Sequence, residues 1–223
     1  MISVEISDLQ SFNETGGIID LSLKNVRLAE TVFSIYYKNS KLPKAFENLK
    51  DKYDQETLER VCSVINGENG THLRNYEKTI IVNEILRTCS DIYSFKDKLK
   101  DEEYSLVGEI VALEGRDAYE EIEGYKSKNK EHIVRKNYSF ATKLCHYACY
   151  YLFKDDKDRD RYPIYDSVLV EYVTNSEEYR QALDNDLSVY KNYVSIVDEI
   201  IKGKGISRNG FDHLIWLSTR TTI

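Results

Sequence analysis

Lys143 and Asp166 are the two residues of this 223-residue sequence whose types and spacing most favour covalent chemistry. Lys143 is predicted in an early turn of a helix that carries His146, Tyr147 and Tyr150 on the same face, at i+3, i+4 and i+7. A lysine near a helix N-terminus and partly desolvated by aromatic rings is more readily held as a free amine, which is a nucleophile. Asp166 follows 23 residues later, at the predicted start of the next helix.

Each of the two residues also has a plainer interpretation. A lone helical lysine is usually solvated, and an aspartate at a helix start usually caps it by accepting hydrogen bonds from exposed backbone N–H groups. The pair favours chemistry more strongly than either residue alone, because it puts a nucleophile and a carboxylate on two consecutive helices joined by a short loop. We therefore expect the Lys143 amine and the Asp166 carboxylate to open onto one cleft.

Two short stretches around these residues resemble the motifs of a known enzyme family. The first reads Ser139-Phe140-Ala141-Thr142-Lys143-Leu144 and the second reads Tyr162-Pro163-Ile164-Tyr165-Asp166. Both resemble the core of the helix-hairpin-helix DNA glycosylases, most closely the lyase-active 8-oxoguanine branch. In that family a Gly-x-Gly-Thr-Lys stretch supplies a nucleophilic lysine, and a Val-Pro-Val-Asp stretch supplies an aspartate. The resemblance covers residues 136–173, with a slightly longer spacing between the two motifs here.

The resemblance implies a DNA-repair activity on a damaged or modified base of the 8-oxoguanine type, with DNA as the partner and no cofactor. The base is extruded into a pocket, because its glycosidic bond is out of reach inside the duplex. Asp166 would stabilise the oxocarbenium-like C1′, while Lys143 would attack C1′, expel the base and form a Schiff base that can proceed to strand cleavage. The candidate pocket residues, for which core packing is the alternative role, are His146, Tyr147, Tyr150, Phe211 and Trp216.

One departure from the family lies in the segment that would form the hairpin. The family's Leu-Pro-Gly-x-Gly lets backbone N–H groups approach a DNA phosphate, whereas this chain has Arg135-Lys136-Asn137-Tyr138-Ser139-Phe140, without glycine or proline. Either DNA binding has been lost or phosphate binding passes to basic side chains, for which the candidates are Lys128, Lys130, Arg135 and Lys136. The four-cysteine iron–sulfur loop of some relatives is also absent, as is normal in the 8-oxoguanine branch.

The net charge of −7 argues only weakly against a nucleic-acid partner, because the charge is unevenly distributed. Residues 101–123 hold nine acidic residues and one basic residue, whereas residues 126–143 hold six basic residues and one acidic residue. A local basic cluster can bind phosphates on a protein whose total charge is negative, and a solvated surface loop is the alternative interpretation.

Apolar residues recur with helical spacing along almost the whole sequence, which predicts an all-α fold. The resemblance refines this prediction to a two-lobed glycosylase-like fold with a degenerate helix-hairpin-helix. Its lobes are predicted at residues 1–125 and 126–223, with a boundary near 125 to 131, or the two form one compact unit.

The same pattern predicts where individual helices begin and end. A first helix, marked by Val26 and Tyr36, stops before Pro43, and a second ends at Asn66-Gly67. A charged excursion is predicted at residues 154–161. A long helix is predicted over residues 179–201, closed by Gly203.

Composition argues against several other classes of protein. Ten Gly and two Pro are few for a many-turned β-sandwich or barrel, and no apolar run reaches the roughly 18 residues that indicate a membrane span. Glu5 and Asp8 stand where a signal peptide would be basic and then apolar, so we expect a cytoplasmic protein without a membrane partner. The four cysteines suggest no disulfide framework and no metal site, with Cys145 and Cys149 as core residues on one helical face.

Two other functions fit parts of the sequence. The run Arg208-Asn209-Gly210-Phe211-Asp212-His213 has the R-x4-H spacing of the HEPN ribonucleases, which are also all-helical, and it resembles their active motif. Arg208 and His213 would then act on the RNA 2′-hydroxyl and the phosphate. Alternatively, a glycosylase-like scaffold serves as a non-catalytic binding or regulatory module in a bacterial defence or stress system, with a nucleic acid or a protein as its partner.

Overall fold

The computed structural model describes residues 20–117, 133–175, 177, 179–180 and 190–218, and this part of the chain is all-α, as predicted. In the described ranges, the β-pairing consists of one antiparallel bridge between Asp117 and Ile133. None of the described helices is both long and apolar enough to cross a membrane. The helices are α1 (Leu23–Tyr36), α2 (Leu42–Asp51), α3 (Gln55–Asn69), α4 (Asn75–Thr88), α5 (Ile92–Leu99), α6 (Ser105–Val111), α7 (Tyr138–Leu152), α8 (Asp156–Arg159), α9 (Ser167–Thr174), α10 (Tyr190–Ile201) and α11 (Arg208–Ser218).

The chain divides into two compact units. The central unit comprises residues 40–162 and 189–191, and the terminal unit comprises residues 1–39, 163–188 and 192–223. The predicted lobe boundary near 125 to 131 falls outside the described residues, and its described flanks, 40–117 and 133–162, both belong to the central unit. The predicted lobes at residues 1–125 and 126–223 therefore stay a prediction.

Helix α7 is the centre of the central unit. Ten of its fifteen residues are buried, and α2, α3, α5, α6 and α8 pack against it. A helix that is buried on nearly all sides is usually apolar, and α7 follows this rule with side chains such as Phe140 and Leu144. Its buried residues nevertheless include Lys143 and His146, which are polar side chains in the interior of the unit.

An ion pair between a buried carboxylate and an exposed guanidinium fixes the segment that leads into α7. Glu77 of α4 is fully buried, and it accepts hydrogen bonds from the Arg135 backbone N–H at 2.9 Å and from the Arg135 guanidinium at 2.8 and 3.0 Å. It also accepts a bond from the Arg74 backbone N–H at 2.9 Å. Burial alone would raise the pKa of Glu77, but the hydrogen bonds from Arg135 and Arg74 outweigh it and hold this pKa below its usual value.

In the terminal unit, α11 packs against both α1 and α9. Val26 and Ala29 of α1 form a buried apolar cluster with Leu214 and Leu217 of α11. The close approach of the two helices depends on Gly210, because a Cβ added there would lie 2.6 Å from Val26 Cγ1. The glycine of the R-x4-H run therefore has a packing role.

The structure corrects one helix end that the sequence predicted. Helix α3 continues through Asn66-Gly67 to Asn69 and ends at Gly70, whose φ of 58° lies in the left-handed region that glycine adopts without strain. The Asn66 amide does not end the helix, because it reaches forward and bonds both the N–H and the carbonyl of Leu73. The predicted end at Asn66-Gly67 is therefore wrong by three residues.

Other boundaries follow the prediction in part. Helix α1 ends before Pro43, as predicted, but Pro43 opens α2, since a proline is tolerated in the first turn of a helix. Helices α2 and α5 were not predicted, and the charged excursion contains the short helix α8. The predicted long helix is described over Tyr190–Ile201 and is followed by Gly203 with a φ of 73°, while residues 181–189 lie outside the described part.

Candidate functional site

Lys143 is the only lysine or arginine that is buried among the described residues, with 8% of its surface exposed. It lies in the second turn of α7, which begins at Tyr138, so the predicted helical position is confirmed. Its Nζ donates a hydrogen bond to Ser139 Oγ, 3.2 Å away and one turn earlier on the same helix. Because lysine is seldom buried, Lys143 is a candidate for a chemical role.

His146 is a buried neighbour of Lys143 on the same helix. Its Nδ1 lies 2.7 Å from the carbonyl oxygen of Tyr162. Because a carbonyl oxygen only accepts hydrogen bonds, Nδ1 carries a hydrogen and is the donor. The His146 ring also meets the Tyr147 ring edge-on, with centroids 5.1 Å apart. His146 therefore ties α7 to the end of the loop that precedes Pro163.

Tyr147 and Tyr150, the other two pocket candidates on α7, differ in their surroundings. Tyr147 is half-buried, and its hydroxyl donates to Asn69 Oδ1 at 2.7 Å, which joins α7 to the end of α3. Tyr150 is exposed, and the Arg159 guanidinium lies over its ring at 4.3 Å from the centroid. Along this helix the pocket candidates thus range from buried His146 to exposed Tyr150.

Asp166 is the N-cap residue of α9 in the terminal unit. Its backbone is extended, and its Oδ1 accepts a hydrogen bond from the Leu169 N–H at 3.2 Å. The cap that its position in the sequence suggests is therefore confirmed. A negative charge is favourable there, because the N-terminal end of a helix carries partial positive charge.

The residues before Asp166 are held by two other helices of the terminal unit. The Ile164 N–H donates to Asp212 Oδ2 of α11 at 2.8 Å, and the Ile164 carbonyl accepts from the Tyr193 hydroxyl of α10 at 2.7 Å. The Tyr165 ring packs edge-on against the Tyr193 ring, with centroids 5.0 Å apart. Burial, with the charges of Asp212 and Asp166, holds the pKa of Tyr193 well above its usual value, so this hydroxyl stays protonated and donates.

Lys143 and Asp166 belong to different units of the chain. Lys143 is part of the central unit, whereas Asp166 is part of the terminal unit. The cleft that the two side chains are expected to share stays a prediction.

The four candidate phosphate-binding residues differ in whether the structure describes them and in what their charged groups contact. Lys128 and Lys130 lie outside the described residues. The Arg135 guanidinium is bound to the Glu77 carboxylate, and one of its nitrogens also donates to the carbonyl oxygen of His72. Lys136 is exposed, and its Nζ lies 5.2 Å from the centroid of the Tyr138 ring. Of the two described candidates, only Lys136 carries an exposed charge without a described carboxylate partner.

Phe211 and Trp216, the pocket candidates on α11, differ in exposure. Phe211 is fully buried, and its ring meets Tyr172 of α9 edge-on at a centroid distance of 5.7 Å. Trp216 is half-buried and lies edge-on against Phe33 at 5.0 Å and Tyr36 at 6.5 Å. Phe211 is thus a core residue of the terminal unit, whereas Trp216 keeps part of its ring at the surface.

The ribonuclease-like run begins α11. Arg208 forms a two-point ion pair with Asp198 of α10, with Nε 2.7 Å from Oδ1 and the terminal nitrogen 2.6 Å from Oδ2. The His213 ring is stacked on Phe33, with centroids 4.0 Å apart. Both side chains of the R-x4-H run are therefore engaged with neighbouring helices of the terminal unit.

The four cysteines are free thiols in buried positions. Cys145 and Cys149 are fully buried on α7, as predicted for core residues. Burial raises the pKa of the Cys62 thiol to about 12 and raises that of Cys145 well above its usual value, which keeps these sulfurs protonated. Within the described ranges, no three His, Cys, Asp or Glu side chains are grouped so that they could hold a metal ion.

Comparison with known proteins does not assign a function to this chain. No protein-family model, no curated protein and no solved structure matches this chain. The functional proposal therefore depends on the chemistry of Lys143 and Asp166 and on the groups that hold them.

Three residues that hold these two side chains were not candidates from the sequence. Ser139 had a usable signal, because a hydroxyl four residues before a helical lysine lies on the same face. Asp212 and Tyr193 had none, since they meet Ile164 only through tertiary structure, across 48 and 29 residues of chain.

Proposed function

We propose that this protein is a DNA glycosylase with lyase activity, which removes a damaged or modified base of the 8-oxoguanine type through a Schiff base at Lys143. The observation that supports the proposal most is the burial of Lys143 in α7, where its amine donates to the Ser139 hydroxyl. Lysine is seldom buried, and a largely buried lysine suits a nucleophile that must be shielded from bulk water. The resemblance of residues 136–173 to the 8-oxoguanine branch adds support from the sequence.

The reaction begins with the neutral Lys143 amine attacking C1′ of the extruded nucleotide. A C1′–N bond forms as the glycosidic bond breaks, and the base leaves with the electron pair and takes up, in net, the proton released by the amine. The C1′–O4′ bond then opens, O4′ takes a proton, and a protonated Schiff base joins Lys143 to C1′. Loss of a C2′ proton breaks the bond from C3′ to its phosphate oxygen, and water finally hydrolyses the Schiff base to restore the amine.

Asp166 has an electrostatic role in this proposal. As the glycosidic bond breaks, C1′ gains positive charge, and a fixed carboxylate lowers the energy of that transition state. Support comes from how Asp166 is held, by its capping bond to Leu169 on one side and by the tethered Ile164 on the other. A carboxylate held in this way is preorganised, since it does not have to reorient during the reaction.

Borohydride trapping tests the proposal, because borohydride reduces a Schiff base to a stable secondary amine. The full chain is incubated with duplex DNA that carries either 8-oxoguanine or an abasic site, and the covalent adduct is resolved on a denaturing gel. We expect an adduct with both duplexes for the wild-type protein and none for Lys143→Gln. Absence of a wild-type adduct on both duplexes would overturn the proposal.

Lys78 provides the matched control for this experiment. Its Nζ also donates to a serine hydroxyl, that of Ser63 at 3.0 Å, but Lys78 is only half-buried and lies on α4. Lys78→Gln removes an amine with a similar hydrogen bond in a different environment. This variant should therefore form as much adduct as the wild type.

A further inference from the structure

We infer that Asp212 and Tyr193 are positioning residues for Asp166, because they fix both backbone polar groups of Ile164 and thereby the carboxylate two residues later. This inference rests on the proposed function, since it concerns how accurately Asp166 is held during base removal. It assigns a role to a buried aspartate that the R-x4-H pattern had left unexplained between Phe211 and His213.

The first observation is that one loop residue is bound from two separate helices. The Ile164 N–H donates to Asp212 Oδ2 at 2.8 Å from α11, and its carbonyl accepts from the Tyr193 hydroxyl at 2.7 Å from α10. Loop backbone groups usually lie at the surface and are free to bond with water. At Ile164 both groups are instead bonded to side chains that are at least 97% buried, because Asp212 is 3% exposed and Tyr193 is 1% exposed.

The second observation concerns the type of side chain used. Burying a carboxylate is unfavourable unless its oxygens are well bonded, so a neutral side chain or a water molecule would satisfy one loop N–H more easily. A carboxylate acceptor, however, makes a shorter and stronger hydrogen bond to an N–H than a neutral acceptor does. A carboxylate at position 212 therefore holds the loop more rigidly than a neutral side chain would, although it is less favourable to bury.

The third observation is the short path from the tethered residue to Asp166. Two residues span at most about 7 Å of chain, and the intervening Tyr165 is itself packed edge-on against Tyr193. On its other side, Asp166 is bonded to the Leu169 N–H at the start of α9. The Asp166 carboxylate is thus constrained from both sides along the chain. Releasing Ile164 would remove the constraint on its N-terminal side.

The effect on catalysis follows from the dependence of electrostatic stabilisation on position. A misplacement of about 1 Å, caused by a residue that does not touch the substrate, can lower a reaction rate by about 10²-fold. Removing the Asp212 carboxylate should therefore slow breakage of the glycosidic bond. It should not slow the attack of Lys143 on a preformed abasic site, because the base is already gone and no glycosidic bond has to break.

This difference between two substrates is the test. Adduct formation is followed in single-turnover trapping with saturating protein, on duplexes bearing 8-oxoguanine or an abasic site. We expect Asp212→Ala to slow adduct formation by about 10²-fold on 8-oxoguanine and to leave the abasic-site rate close to wild type. Asp166→Asn should give the same pattern, and combining the two substitutions should add no further loss, since both act through one carboxylate.

Two conservative variants separate positioning from a merely structural role. Asp212→Asn keeps an oxygen that can accept from the Ile164 N–H, so it should recover most of the rate on 8-oxoguanine. Tyr193→Phe keeps the ring and removes only the hydroxyl, so it should slow the 8-oxoguanine reaction alone. If Asp212→Ala does not fold, as judged by its thermal unfolding, Tyr193→Phe decides the question by the same comparison of substrates.

Negative results would distinguish failure of the positioning role from failure of the proposed function. Equal slowing of both substrates by these variants, or no slowing of either, would overturn the positioning role while leaving the proposed function intact. A wild-type protein that forms no adduct with either duplex would overturn the proposed function, and the positioning role with it.

Discussion

Two stretches of this chain each place a basic side chain in a motif that resembles an active site, and they differ in what that side chain is bound to. In the central unit, Lys143 is buried in α7 and its amine donates to the neutral hydroxyl of Ser139. At the start of α11 in the terminal unit, the Arg208 guanidinium is bound by both carboxylate oxygens of Asp198. A two-point bond between ions fixes the geometry and charge of a guanidinium, whereas the bond from Lys143 to Ser139 is a single bond to a neutral group.

The other members of the two motifs extend this contrast. In the R-x4-H run, Gly210 lets α11 approach Val26 and His213 stacks on Phe33, so both residues have packing roles. Lys143 is instead a residue of a type that is seldom buried, in a helix whose other buried residues are mostly apolar. Residues that match a motif are thus more informative when packing alone would not have selected them.

The largest expected effect sets the two motifs directly against each other. Lys143→Gln should abolish the borohydride adduct on 8-oxoguanine duplexes, while Arg208→Gln and His213→Ala should leave it unchanged, because only the lysine forms the covalent bond. The same variants are assayed for cleavage of single-stranded RNA. RNA cleavage that is lost in His213→Ala but kept in Lys143→Gln would reverse the comparison and favour the ribonuclease interpretation.

Glu77 should show the largest effect on stability, because it holds the segment that leads into the lysine helix. Glu77→Ala leaves the backbone N–H groups of Arg74 and Arg135 without their acceptor and removes the partner of the Arg135 guanidinium. We expect a loss of about 3 kcal/mol in the free energy of unfolding, near the low end for a broken buried pair because Arg135 is 42% exposed and can rehydrate. Urea denaturation measures this loss, and a value under about 1 kcal/mol would contradict it.

The same carboxylate gives a pH dependence of defined sign. Because the folded-state pKa of Glu77 lies below its unfolded value, its contribution to stability is present above the unfolded pKa and is lost as the pH falls through the folded one. The stability advantage of the wild type over Glu77→Gln should therefore be largest above about pH 5 and should narrow below about pH 4. Denaturation of both proteins across this range tests it, and an advantage that grows on acidification would contradict it.

Features of the structure that depend on residues close together in the sequence can be predicted from it, whereas features that depend on distant residues cannot. The helical position of Lys143 and the capping role of Asp166 are set by residues within one turn, so spacing alone predicts both. The bonds that hold the site join residues that are far apart in the chain, such as Ile164 with Asp212 and Glu77 with Arg135, and spacing gives no signal for them. The end of α3 was mispredicted for the same reason, because the Asn66 amide bonds a residue seven positions ahead.

A smaller effect is expected when the glycine of the R-x4-H run is replaced. In Gly210→Ala the new Cβ would lie 2.6 Å from Val26 Cγ1 and 3.1 Å from Ser207 Oγ, so α1 and α11 must separate. Overpacking of this kind costs about 2 kcal/mol of unfolding free energy, partly offset by the better helix propensity of alanine. Gly67→Ala is the control, because that helical glycine has open space around it and should gain up to about 1 kcal/mol. Equal effects of the two substitutions in thermal unfolding would mean that close packing is not what Gly210 provides.

The smallest expected effect is that of releasing Arg208 from its ion pair. Asp198 is 48% exposed, so solvent screens the pair, and Asp198→Ala should lower the free energy of unfolding by less than about 1 kcal/mol. The substitution nevertheless removes the carboxylate partner of a guanidinium five residues before His213, and it therefore tests whether this ion pair or the packing of His213 prevents ribonuclease chemistry. We expect Asp198→Ala to remain inactive on single-stranded RNA, because His213 stays stacked on Phe33. RNA cleavage that appears in Asp198→Ala and disappears in Asp198→Ala with His213→Ala would show that the ion pair holds a competent site inactive, and the contrast between the two motifs would then be one of regulation.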